Sequence, residues 1–96
     1  MRKLPIYKYL DISTGHITEK TNNLLMDNKD NEQFPLVVLW TGYGFMINVP
    51  YNIDELEREL PSDLISCLGF AKKHNCYWIV FDCDAEVIDE LEQFEW

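Results

Sequence analysis

The chain has 96 residues, of which 47% are hydrophobic and 14% aromatic. This is enough apolar surface for one folded core, and it excludes a disordered tail. Seventeen acidic and eight basic residues give a net charge of −9, which excludes nucleic acid and anionic membranes as direct partners. We therefore expect a single domain over residues 1–96. Its charge serves either solubility alone or the binding of a basic protein surface.

Cysteine usage predicts a reducing compartment. The chain has an odd number of cysteines without the spacing of a disulfide framework, namely Cys67, Cys76 and Cys83. No apolar run of signal-peptide length follows Arg2 and Lys3, so we expect a soluble cytoplasmic protein with free thiols. The uncharged run 33–53 contains prolines and glycines that make it too short for a membrane span.

The first third of the chain predicts a strand followed by a helix. Residues 6–12 have the composition of a strand. Ser13, Thr14 and Gly15 end this strand and offer a helix N-cap. Apolar residues at helical spacing predict a helix over residues 18–26, and the polar run 27–33 is expected to be a loop.

The middle of the chain predicts a β-hairpin and two helices. Strands 36–40 and 45–49 flank the glycine-containing turn 41–44, whose Tyr43 is expected to be exposed. Asn52 and Glu55 have the spacing of a capping box at the start of a short helix. Pro61 suits the first turn of a further helix, with Asn75 at its left-handed exit.

The run 76–81 is the organising strand of the predicted fold. It is apolar and aromatic on both faces, so we expect it to be buried on both faces. Asp82 and Asp84 follow it, and Asp84 is the expected N-cap of one or two helical turns within residues 85–96. The resulting class is α+β, a two-layer domain with about four mostly antiparallel strands and helices on one face.

The order of elements matches the ferredoxin-like split β-α-β motif, which is the leading topology. One observation opposes it, because that topology places the last strand at an edge whereas the run 76–81 is apolar on both faces. Either the C-terminal segment or a second subunit in a homodimer would have to cover it.

Asp11, Asp82 and Asp84 form the candidate catalytic cluster. If the first and last strands are parallel neighbours, these carboxylates could hold Mg²⁺ for phosphoryl transfer or nuclease chemistry. The alternative is that Asp84 caps a helix and Asp82 is solvated. His16 lies at a strand-to-helix junction and is a further catalytic candidate, although a turn braced by its hydrogen bonds is the simpler interpretation.

The histidines and cysteines do not have the spacing of a zinc site. The close pairs of structural zinc sites are missing among Cys67, His74, Cys76 and Cys83. Buried thiols that act as small apolar groups are the better interpretation. We therefore predict no bound metal and no cofactor.

Several short runs resemble an uncharacterised family of small bacterial domains. They are Asp11-Ile12-Ser13-Thr14-Gly15-His16-Ile17-Thr18, Glu59-Leu60-Pro61-Ser62-Asp63-Leu64, Phe70-Ala71 and Trp78-Ile79-Val80-Phe81-Asp82-Cys83-Asp84-Ala85. The resemblance implies a prophage or mobile-element context and no known activity. Cys83 stands where the pattern has a basic residue, so this chain is the more acidic.

Two functional hypotheses follow. The first is a small acidic, non-enzymatic inhibitor of the anti-CRISPR or anti-restriction type, which occupies the basic surface of a nucleic-acid-binding defence protein. The second is a metal-dependent enzyme that uses the carboxylate cluster. Residues 82–96 carry seven acids and no base, so the partner-binding prediction names Tyr43 and the side chains of this segment: Asp84, Glu86, Asp89, Glu90, Glu92, Phe94, Glu95 and Trp96.

Overall fold

A computed structural model describes residues 4–96 of the chain. Four strands, three α-helices and one short 3-10 turn make up its regular structure. In chain order these are β1 (Lys8–Ser13), the 3-10 turn (Thr14–His16), α1 (Glu19–Asp27), β2 (Val38–Trp40), β3 (Gly44–Asn48), α2 (Ile53–Leu56), α3 (Ser62–Lys73) and β4 (Cys76–Asp82). The α+β class and the predicted order of strands and helices are confirmed.

The strands form one mixed sheet with the order β1-β4-β3-β2. β1 and β4 are parallel, and the other two pairings are antiparallel. The ferredoxin-like topology is not confirmed, because β4 lies in the interior of this sheet instead of at its edge. An interior position suits β4 because both of its backbone edges are then hydrogen-bonded.

The two faces of the sheet differ in what covers them. Phe81 stands beside Ile12 of β1 and Phe45 of β3, and all three are fully buried. Buried residues of all three helices join this cluster, among them Leu25, Leu56, Leu64 and Leu68. The helices therefore cover one face, as the sequence predicted.

The prediction that β4 is buried on both faces was wrong. The opposite face carries Trp78 and Val80, which are only half-buried, and Tyr9 and Leu39, which are exposed. The apolar composition of β4 did not distinguish its faces because large aromatic and β-branched residues favour strands whether or not a second layer covers them.

The β2–β3 hairpin depends on two glycines. Gly42 has a φ of +94°, the left-handed region that residues with a Cβ rarely adopt. Gly44 stands opposite Asp82 of β4, and a Cβ built on Gly44 would lie 1.8 Å from the carbonyl oxygen of Phe81. Only glycine permits this approach of the β3 and β4 backbones.

Helix α1 is joined to α3 through one carboxylate. The Thr18 hydroxyl accepts the Thr21 N–H at 3.2 Å, which caps the start of α1. The two oxygens of Asp63 accept the Thr18 N–H at 2.8 Å and the Thr21 hydroxyl at 2.9 Å. Asn75 has a φ of +63°, which confirms the predicted left-handed exit from α3.

The capping box predicted for α2 does not form. The Asn52 side chain caps no backbone N–H and donates instead to Glu55 Oε2 at 3.3 Å. Ile53 and Leu56 of α2 are nevertheless buried. Packing of these apolar side chains holds this short helix without a side-chain cap.

The helical turns predicted within residues 85–96 were wrong. This segment contains isolated turns and irregular backbone but no helix. The Asp84 N–H donates to Asp82 Oδ1 at 2.8 Å, so this pair forms a local turn and Asp84 caps nothing. Apolar residues at helical spacing did not produce a helix here, because the backbone of the segment forms hydrogen bonds to the rest of the domain.

None of the helices in the described part of the chain is long and apolar enough to cross a membrane.

Candidate functional site

His16 binds the C-terminal segment, which is residues 83–96 after β4, and holds it beside the end of β1. Its side chain is 1% exposed. Nδ1 lies 2.9 Å from the carbonyl oxygen of Glu92, and Nε2 lies 2.9 Å from the backbone nitrogen of Ile88. A carbonyl oxygen only accepts and a backbone N–H only donates, so His16 must carry its proton on Nδ1. Both ring nitrogens therefore bond to the C-terminal segment, and the side-chain hydrogen bond within the turn comes instead from Ser13.

Three further bonds attach the same segment to the 3-10 turn and the strand before it. The Ser13 N–H donates to the Glu86 carbonyl at 3.3 Å, and the Phe94 N–H donates to the Gly15 carbonyl at 2.8 Å. The indole N–H of Trp96 donates to the Ile17 carbonyl at 2.9 Å. Half-buried Ile88 and Leu91 pack against the core at the same time. The segment is therefore held in one conformation although it has no regular secondary structure.

The acidic side chains predicted to bind a partner lie at the surface, and Glu90 and Glu92 line a small pocket together with His16. All six are exposed: Asp84, Glu86, Asp89, Glu90, Glu92 and Glu95. Trp96 is 53% exposed and Tyr43 is 64% exposed. Phe94, which the sequence suggested was exposed, is half-buried. The structure thus presents six carboxylates on a fixed backbone.

A cavity of about 500 Å³ lies where β1 and β4 end and the β2–β3 hairpin turns. It brings together Tyr43 and Trp96, which the sequence named separately, and adds Trp40 and Cys83. The walls are completed by Met26 and by small or polar residues: Ser13, Thr14, Gly15, Asn22, Gly42 and Gly44. Crevices at the carboxyl ends of parallel strands are common ligand sites in α/β folds.

The predicted carboxylate cluster forms only in part. Asp82, Cys83 and Asp84 bring their side-chain oxygen and sulfur atoms within 4.8 Å of one another. Asp11 is exposed and stands opposite Val80, two residue pairs before the pair of Ser13 and Asp82. β1 and β4 are parallel neighbours, as the metal hypothesis required, yet the metal-ligand set found in the described residues does not include Asp11.

Cys67 and His16 lie close together but do not form a nucleophile and base. The Cys67 thiol lies 3.6 Å from the backbone carbonyl of His16, to which it donates. Burial, together with the negative charge of Asp63, raises the pKa of the Cys67 thiol to about 12. The thiol therefore stays protonated near neutrality, and both ring nitrogens of His16 are occupied by backbone groups.

Sequence reasoning missed Trp40 as a part of the cavity. Its ring packs edge-on against Phe45 at 5.4 Å between centroids while 47% of the residue stays exposed. Its position directly before the glycine turn was a signal that could have placed it beside Tyr43. Asn22 and Met26 carried no such signal, because only the packing of α1 brings them to the cavity.

Comparison with known families finds one match. A family described as "Family of unknown function (DUF5983) C-terminal domain" covers residues 9–96. Neither the comparison with curated proteins nor that with solved structures finds a match. The resemblance to an uncharacterised domain family is confirmed, and the prophage context inferred with it stays a prediction.

Proposed function

The chain belongs to the DUF5983 C-terminal domain family, whose function is unknown, and from its geometry we propose that it is a non-enzymatic binding domain. Its partner is the basic surface of another protein. The observation that carries this proposal is the fixed C-terminal segment, on which all six carboxylates between residues 84 and 95 are exposed.

Attachment of the segment favours binding over a role in solubility alone. A flexible acidic tail serves solubility equally well, whereas this segment is bound through His16, Gly15 and Ile17. A backbone already held in one conformation loses less entropy when a partner binds. The carboxylates accelerate and orient the encounter, and the exposed Trp96 and Tyr43 supply apolar contact area.

We place the partner among proteins that bind nucleic acid, such as a host defence protein. Surfaces that bind the phosphate backbone are rich in lysine and arginine. A chain with a net charge of −9 and an acidic face complements such a surface. Occupation of the surface would inhibit the partner in the manner of an anti-restriction or anti-CRISPR protein.

The test is a charge reversal with a matched control. Glu90, Glu92 and Glu95 are changed together to lysine, and the control changes Asp54, Glu57 and Glu59, which are also exposed, to lysine. Both triple variants alter the net charge by the same amount. We expect only the first variant to lose the partner captured from a host lysate, and to associate more slowly with that purified partner.

Salt separates specific from general electrostatic effects. Association of the unchanged protein should slow as the salt concentration rises, and the first variant should show a flatter dependence. Equal losses in the two variants would mean that net charge alone matters. Binding unaffected by the reversal at 90, 92 and 95 would refute the proposal.

A metal-dependent activity is the alternative function, and Asp82, Cys83 and Asp84 are the residues that favour it. It predicts that Mg²⁺ or Mn²⁺ raises the melting temperature, because a ligand that binds only the folded state stabilises it. The binding function predicts no such increase. Substitution of Asp82 by asparagine would identify the site if stabilisation were observed.

A further inference from the structure

Three exposed aromatic side chains meet at the cavity formed by the ends of β1 and β4. They come from distant parts of the sequence: Trp40 and Tyr43 from the hairpin, and Trp96 from the C-terminal segment. We propose that this cavity receives an arginine side chain of the partner protein. This inference rests on the proposed function and assigns one pocket within the surface that binds the partner.

Hydrogen bonds fix the walls of the cavity before any ligand arrives. The Cys83 N–H donates to the Tyr43 carbonyl at 3.0 Å, and the Thr41 N–H donates to the Gly44 carbonyl at 3.0 Å. Trp96 is held through its indole N–H by Ile17, and the Trp40 ring packs edge-on against Phe45. Each of the three aromatic residues is thus held by a contact of its own before a ligand binds, which lowers the cost of binding.

The chemistry of the walls selects a cation. None of the described residues that line the cavity is basic. Carboxylate oxygens of Asp82 and Asp84 lie within 4.8 Å of the sulfur of Cys83, which itself lines the cavity. These carboxylates repel a phosphate or a carboxylate ligand. The faces of tryptophan and tyrosine rings attract cations through their quadrupole.

A guanidinium group fits these walls better than an ammonium group. It is planar, stacks on aromatic rings and is more weakly hydrated than the lysine head group. Its five N–H donors can also bond to the side-chain oxygens of Thr14 and Asn22, which line the cavity, and to the carboxylates beside Cys83. The cavity volume of about 500 Å³ leaves room for the whole side chain.

The experiment uses a peptide too short to reach the rest of the acidic segment. Acetyl-Gly-Arg-Gly-amide is titrated into the labelled protein, and the indole N–H resonances of the three tryptophans are followed by NMR. Trp40 and Trp96 should shift, whereas Trp78, which lies on the open face of the sheet, should not. The same peptide with uncharged citrulline in place of arginine is the matched ligand control.

Variants test the contributions of the Tyr43 ring and of the Asp84 carboxylate to binding of the arginine peptide. Tyr43→Ala should weaken binding of the arginine peptide roughly three- to tenfold, because an aromatic face contributes a cation–π interaction of that size. Tyr51→Ala, at a tyrosine that is 89% exposed and outside the cavity, should leave it unchanged. Asp84→Asn should weaken binding and Asp54→Asn should not.

The two proposals fail in different ways. Equal shifts with arginine and citrulline, or equal binding by Tyr43→Ala and Tyr51→Ala, would overturn the arginine pocket and leave the acidic segment untouched. Selective arginine binding supports the pocket even if the triple charge reversal leaves partner capture unchanged, a result that would overturn only the role of the acidic segment.

Discussion

The helix-covered core and the C-terminal segment are held by different physical means. The core is a contiguous cluster of buried apolar residues in which Ile12, Phe45, Ile79 and Phe81 are fully buried. The C-terminal segment keeps its acids exposed, and individual hydrogen bonds to His16, Gly15 and Ile17 hold it. Apolar burial is spread over many contacts, whereas directed bonds concentrate stability at a few atoms.

This difference separates stability from function within one small domain. Changes in the core should unfold the molecule as a whole. Changes at the attachment points should release the segment and leave the sheet intact, because local regions open at lower free energy than the core. Both regions meet at the turn after β1, where His16 lines a small pocket together with residues of α3 and of the segment.

The largest expected loss is in the core. Phe81→Ala removes a fully buried ring between Ile12 and Phe45, and we expect the free energy of unfolding to fall by about 3–5 kcal/mol. Denaturant unfolding measures this decrease in the free energy of unfolding. Tyr77→Ala, at an exposed position on the same strand, is the control. A melting temperature within a few degrees of the unchanged protein would contradict the organising role of β4.

A pair of glycines tests the close approach of β3 and β4. Gly44→Ala places a methyl group against the backbone of Phe81, and we expect a loss of about 3 kcal/mol because two backbones would have to separate. Gly69→Ala, in α3 with no atom within 4 Å of the new Cβ, should instead stabilise by about 0.5–1 kcal/mol. Thermal melting of both variants measures these changes in stability. Similar melting temperatures for the two variants would contradict the close approach of β3 and β4 at Gly44.

The attachment of the segment is tested at His16. His16→Ala leaves the Ile88 N–H and the Glu92 carbonyl without their partners, and we expect a loss of about 2 kcal/mol. Hydrogen exchange should accelerate at Ile88 and Phe94 more than in β4. His74→Ala, at an exposed histidine, is the control. Uniform acceleration across the sheet would show that the segment and the core open together.

The last two predictions concern the thiols, and neither changes stability near neutral pH. Cys83 is exposed whereas Cys67 and Cys76 are buried, so Cys83 alone should react rapidly with a thiol reagent in the folded protein.

Burial raises the pKa of Cys67 from 9.0 to about 12. Both states keep this proton below pH 9, and only the unfolded state loses it between pH 9 and 12. The stability contributed by the protonated thiol therefore declines over that range.

Comparison with Cys67→Ala isolates this effect, because the two proteins differ in no other titratable group. The unchanged protein should lose stability relative to the variant as the pH rises from 9 to 12. A difference that stays constant over that range would mean that the folded thiol ionises as readily as the unfolded one.

Local patterns accounted for much of the fold. Strand and helix composition located β1, β4 and α3, and the glycine turn located the hairpin. The helix predicted over residues 18–26 begins and ends one residue later, as α1. The helical turns within residues 85–96 failed because apolar spacing cannot show that backbone groups have partners elsewhere. The candidate site was predicted only in fragments: Tyr43 and Trp96 were named, but nothing local placed them in one cavity.

The sequence by itself determined the α+β class, the position of the β2–β3 hairpin and the acidity of the last fifteen residues. These properties follow from composition and from spacing along the chain. Only the tertiary structure decided the sheet order, the proton position on His16 and the convergence of Trp40, Tyr43 and Trp96. Each of these depends on contacts between residues far apart in the sequence, whose geometry arises only when the strands pair and the C-terminal segment packs against the turn after β1.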